Sequence, residues 1–183
     1  MNFNKKEQFL NKRICGLWLI WIAFIILASA AFGGRQQILP EIFYPGYVLG
    51  IIFILNNKSV YRMFSFGRPT QFQKRMTFVS ILFMMVLMVL ISGKYYAHHD
   101  YRMVWLGAFL AIALHFIPFS TVHGNVMVLL AIPLFINAMV GFSSPNIPFR
   151  EIAYVDALIK FIFGAVLFRS KNPLRESRLL TRR

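Results

Sequence analysis

Residues 76–92 read Met-Thr-Phe-Val-Ser-Ile-Leu-Phe-Met-Met-Val-Leu-Met-Val-Leu-Ile-Ser, and from Ile81 to Ile91 no side chain is polar. A helix rises about 1.5 Å per residue, and the hydrocarbon core of a bilayer, about 30 Å thick, takes about 17–25 apolar residues. This stretch is therefore read as a membrane-crossing helix. Five more stretches qualify, at 14–33, 38–55, 103–119, 126–142 and 152–168. The second is expected to be interrupted by Pro40, Pro45 and Gly46, and the fifth carries Pro133. Barrel strands alternate apolar and polar positions, and these segments are too continuous for that. The fold class expected is all-α: a polytopic transmembrane bundle of about six helices, forming a single integral membrane domain over residues 1–183.

Composition agrees. Of 183 residues, 58% are hydrophobic and only 14% are charged, against about 25% charged in an average soluble domain. A soluble domain with so few charges could not cover that much apolar surface. Phe alone supplies 20 residues, which suits the bilayer interior. The basic leader Lys5, Lys6, Lys12 and Arg13 and the Ala28-Ser29-Ala30 tract resemble parts of a signal peptide. The first apolar stretch, however, is longer than the usual signal core of about 7–15 residues, so it is expected to remain as a span.

The net charge of +14 is distributed by position. With the N-terminus inside, the cytoplasmic parts hold fifteen of the twenty Lys and Arg residues, in the leader, in 56–75 and in the tail 169–183. The outer loops hold Arg35, Lys94, Arg102 and Arg150. Positive-inside bias thus predicts both termini in the cytoplasm and an even number of spans. The basic excess points to anionic lipid headgroups at the cytoplasmic face rather than to nucleic acid. The stretch 56–75 mixes cations with Tyr61, Phe64, Phe66 and Phe72 and is expected to lie on the membrane surface, as is a helix in the basic tail. Three spans plus three would allow an inverted repeat of the transporter kind, with breaks in segments two and five, although the halves share no residue-level similarity.

Ionisable groups inside the bilayer are costly and are functional candidates by default. Here they are His115, Asp156 and Lys160. Asp156 and Lys160 stand i, i+4, acid first, the favoured order on one helix face. They read either as an internally compensated pair, or with Lys160 reaching for an interface, or as a working site. Counted from the outer helix ends, Asn137 and Asp156 lie at similar depth, with Ser29 near that level. Asn137, Asp156 and Lys160 are therefore expected to line an outward-opening polar pocket, with His115 deeper. His115 precedes Pro118, which frees the Leu114 carbonyl. It reads as a histidine hydrogen-bonded between helices, or as a proton relay.

His98, His99 and Asp100 form a weak metal candidate, since adjacent residues on an extended segment point apart. Cys15 is the only cysteine, which excludes an internal disulfide or a CxxC pair; it is expected to be a small apolar residue near a helix start. No GxSxG, HExxH or Walker motif occurs, nor an arginine ladder or a TVGYG filter. No enzyme activity and no cofactor are expected.

The stretch His115-Phe116-Ile117-Pro118-Phe119 with His123-Gly124, and the tail Asn172-Pro173-Leu174-Arg175, resemble small uncharacterised multi-pass membrane proteins of Gram-positive bacteria. The likeness covers about a tenth of the chain. It implies a bacterial cytoplasmic membrane and no assigned activity, and it transfers no functional residue. The function expected is transport of a small solute or ion. Six short helices make a thin wall for an aqueous path, so a homo-oligomer is expected to be compatible with it. The alternatives are a non-catalytic partner, a regulatory or immunity subunit of another membrane protein, and a lipid-modifying enzyme using His98-His99-Asp100.

Overall fold

The computed structural model describes residues 9–35 and 37–173. Among these the chain forms seven α-helices and no strand: α1 Lys12–Phe32, α2 Pro40–Gly50, α3 Lys58–Phe64, α4 Gln71–Tyr96, α5 Tyr101–His123, α6 Val126–Ser143 and α7 Phe149–Phe168. Helices α1, α4, α5 and α6 are long and apolar enough to cross a membrane. Helix α2 with its continuation has only sixteen residues, and α7 carries Arg150, Glu151, Asp156 and Lys160.

Local chemistry explains the boundaries. Pro40 opens α2 at a position whose N–H has no helical partner in any case. The helix then runs through Pro45, whose missing N–H leaves only the first-turn Glu41 carbonyl without its helical donor. The expected interruption at Pro45-Gly46 is thus corrected. The irregularity falls later, as a π-helical turn over Ile51–Leu55, with Asn56 N–H reaching the Ile51 carbonyl at 2.8 Å. Helix α3 starts on Asn57, whose Oδ1 accepts from Ser59 and Val60 N–H. Helix α4 starts on a capping box, Thr70 and Gln73 exchanging bonds of 3.1 Å. It therefore begins before the apolar run and ends after it. Residues 174–183 of the basic tail lie outside the described residues.

In space the helices follow the order α4–α5–α6–α7–α1–α2, each packed on the next. The α1–α7 crossing is the closest. A Cβ added to Gly16 would stand 2.6 Å from the Gly164 carbonyl oxygen, and one on Gly164 would stand 2.9 Å from the Gly16 oxygen. Only glycine at both positions lets the backbones approach this far, the small-residue packing used where lipid gives helices no hydrophobic drive to associate.

Long-range bonds sort the helix ends into two groups. At one end Arg13 Nε donates to the Ser170 carbonyl (3.0 Å), Phe66 N–H to the Leu10 carbonyl, and Tyr61 and Ser65 hydroxyls to Asn11 Oδ1. At the other, Arg150 N–H meets the Arg35 carbonyl, and Arg102 meets the α6–α7 loop. The start of α1 and the end of α7 share the first end.

The surface is inverted relative to a water-soluble bundle. Phe24, Phe53, Phe78, Val89, Leu129 and Ile162 are exposed, while Ser29, Ser80, His115, Asn137, Asp156 and Lys160 are buried. Lipid accepts that apolar exterior; water would not.

The glycine crossing yields a test. Gly164→Leu forces the α1 backbone away and is expected to cost more than about 3 kcal/mol, the upper end for overpacking, in unfolding measured in detergent. Gly93→Ala, which meets open space, leaves stability unchanged or raises it. Equal effects of the two substitutions would contradict the crossing.

Candidate functional site

Asp156 and Lys160 sit on consecutive turns of α7, and Lys160 Nζ donates to Asp156 Oδ2 in an ion pair. Asp156 is 0% and Lys160 1% exposed. Ala153 and Ala157 flank Asp156. They belong to one apolar cluster with Ile22, Ala23 and Ile26 of α1 and Leu106 and Phe109 of α5. Lys160 Nζ also lies 5.2 Å from the centre of the Phe109 ring, within cation–π range. Lys160 thus has two favourable contacts. Asp156 has one: its Oδ1 is buried without a hydrogen-bond partner among the described residues.

The neighbouring polar groups are committed to backbone. Asn137 on α6 donates from Nδ2 to the Ile152 carbonyl at 2.9 Å, one turn before Asp156. The structure therefore brings Asn137 beside the stretch of α7 that carries the pair. Ser29 Oγ bonds the Ile25 and Ile26 carbonyls of its own helix. The arrangement is closed: Asn137 is 7% exposed and the charged pair less. An apolar groove of about 250 Å³ lies between α5 and α6, lined by residues such as Ala113, Ile117, Ala131 and Phe135. It does not include the pair.

His115 is placed on α5 nearer the basic end. Its Nδ1 lies 2.5 Å from the Ile112 carbonyl, so the carbonyl it serves is Ile112 rather than the Leu114 group freed by Pro118. Its ring packs against Phe116 (4.3 Å between centroids) and Phe119 (5.7 Å). Phe119 in turn meets the ring of His123 at 4.7 Å. His123 is buried, and its Nδ1 has no partner among the described residues. Sequence reading gave His123 no role of its own, although the spacing His115, Phe119, His123 is i, i+4, i+8 and marks one helix face.

Arg102 is a second residue whose role was missed. One guanidinium nitrogen donates to the carbonyls of Gly141 (2.9 Å), Ser144 (3.2 Å) and Ile147 (3.0 Å). It thereby serves orphan carbonyls around the end of α6, where sequence alone gave it only a loop charge. His98, His99 and Asp100 do not converge. Asp100 caps α5 through Met103 N–H (3.1 Å), and His99 Nδ1 lies 3.4 Å from the Tyr101 hydroxyl. Among the described residues no three His, Cys, Asp or Glu side chains group as metal ligands. Cys15 is buried in an apolar cluster with Leu19 and Leu167.

Comparison with protein families matches residues 2–177 to a family of unknown function (DUF6609), in keeping with the likeness to uncharacterised proteins. No curated protein and no solved structure matches the chain.

The pair predicts a pattern of stabilities. Removing one partner strands the other charge, so Lys160→Met should destabilise by about 3–5 kcal/mol, read as unfolding in micelles. Combining it with Asp156→Leu should recover most of that loss. A harmless single substitution would show that the charges do not depend on each other.

Proposed function

We propose, for a chain that belongs to this family of unknown function, a multi-pass membrane protein that moves a proton or small cation through the Asp156 site. The observation that carries the proposal is Asp156 Oδ1, a fully buried carboxylate oxygen with no partner among the described residues. A buried ion pair adds little stability over apolar residues of similar volume, and an unsatisfied oxygen beside it adds further cost. A working role explains why such a group stands at the centre of an otherwise apolar cluster.

In this reading Asp156 carries the ion, Lys160 is its counter-charge, Asn137 holds the adjacent turn of α7, and His115 is a relay towards the basic end. The closed arrangement is the occluded state. Six segments cross the membrane, with α2 and its π-turn as the short one and α7 admitted because its two central charges neutralise each other. The basic end faces the cytoplasm by the positive-inside rule, in a bacterial cytoplasmic membrane.

A second reading, a non-catalytic partner subunit, is favoured by α4. That helix packs on α5 at the edge of the bundle and leaves Phe78, Leu82, Val86 and Val89 exposed along its length, a face open to lipid or to another membrane helix.

Flux in liposomes decides between the two. Protons or monovalent cations driven by an imposed gradient should cross with the wild type. With a folded Asp156→Asn variant, flux should fall to the protein-free level. Absence of flux for protons and every monovalent cation tried would overturn the transport reading in favour of the subunit.

A further inference from the structure

We infer that the basic end carries a built site for the phosphate headgroup of an anionic phospholipid, formed by α3 and the turn after it. The inference rests on the reading of that end as a membrane-facing one, and goes further in naming the residues and the ligand chemistry.

A trough of about 600 Å³ is lined by Lys58, Tyr61, Arg62, Ser65, Phe66, Gly67 and Arg68. Its floor is fixed. Tyr61 and Ser65 hydroxyls donate to Asn11 Oδ1 at 3.0 and 2.7 Å, and Gly67 N–H donates to Ser65 Oγ at 3.1 Å. The Arg13 guanidinium lies 4.6 Å from the centre of the Phe66 ring, which anchors the turn to the start of α1. Three cations therefore line a segment that is tied to the start of α1.

Among the described residues those cations have no acidic counter-charge: no acidic group forms an ion pair with Lys58, Arg62 or Arg68. The described carboxylates are Glu41, Asp100, Glu151 and Asp156. The first three begin α2, α5 and α7 at the opposite end, and the fourth is paired in the core. Lys58 and Arg62 stand i, i+4 on α3, a like-charge spacing that destabilises a short helix unless an anion intervenes. A phosphate accepts hydrogen bonds from several such donors at once.

The surroundings select a lipid over a free anion. Leu55, Met63 and Phe72, before, within and after this segment, are exposed apolar side chains. The trough thus lies where a headgroup would sit with its acyl chains against the adjoining apolar helices.

The test uses the full chain purified in uncharged maltoside micelles, which requires neither flux nor a defined orientation, so a failed transport reading leaves it intact. Short-chain phosphatidylglycerol, short-chain phosphatidylcholine and inorganic phosphate are titrated, and binding is read by native mass spectrometry and by thermal shift. The glycerol lipid should bind tighter than the choline lipid. Arg62→Gln with Arg68→Gln should weaken it by about thirtyfold, each basic residue at an anionic surface being worth roughly a factor of five. Arg35→Gln with Arg150→Gln, at the other end, should leave binding unchanged. Lys58→Gln should give a partial loss if the double variant proves unstable. Equal binding of both lipids, or undiminished binding by the trough variants, would overturn the site. Phosphate that binds as tightly as the lipid and displaces it would overturn the lipid assignment.

Discussion

The ion pair inside α7 is the interaction on which the rest of this bundle depends. A carboxylate and an ammonium one turn apart on the same helix neutralise each other before any other helix is met. That lets a segment with two central charges pack against α1 and α6 as a core helix. With either charge alone, the remaining one would carry the desolvation cost that the pair now offsets. The pairing also fixes rotation, because the face carrying Asp156 and Lys160 must turn inward, towards Phe109 of α5.

Two further devices hold the helices around that centre. At the basic end, Gly16 and Gly164 bring α1 and α7 to backbone contact, and Arg13 ties the same two helices through the Ser170 carbonyl. At the opposite end Arg102 gathers three carbonyls of the α6–α7 connection. Both arginines do in an apolar protein what water does elsewhere, supplying donors to carbonyls at helix ends. Several polar side chains are inside, and many large apolar ones are outside. The charges left over collect at the two ends, and most of the described cations outside the ion pair stand on one of them.

Much of this was legible in the sequence. The apolar runs gave the four long apolar helices and the approximate positions of α2 and α7, because length and continuity alone set that signal. The i, i+4 spacing of Asp156 and Lys160 gave their pairing, and helix rise set Asn137 near the same stretch of α7, where it meets the Ile152 carbonyl one turn before Asp156. The rest depended on tertiary partners. Arg102 looked like any loop cation, since the carbonyls it serves lie about forty residues away. Whether the polar group opens outward could not follow from depth, because helix rotation and packing decide exposure; here Asn137 turns to the Ile152 carbonyl and the group is closed. Pro45 read as a break, yet its place near the start of α2 made it tolerable, and the irregularity moved to the π-turn. Asn57 is a helix-starting residue, so α3 had a local signal that was overlooked among its basic and aromatic neighbours.

The central claim is that α7 crosses the membrane with its charged pair buried midway. Single cysteines at its two exposed ends test this most directly: Glu151→Cys and Lys171→Cys, each in a Cys15→Ala background, probed in intact cells and in inverted vesicles with a membrane-impermeant maleimide. The account predicts that the Glu151→Cys variant is labelled only from the outside and the Lys171→Cys variant only from the cytoplasmic side. Labelling of both from one side would mean that α7 does not cross, and that the Asp156–Lys160 pair is not an intramembrane site.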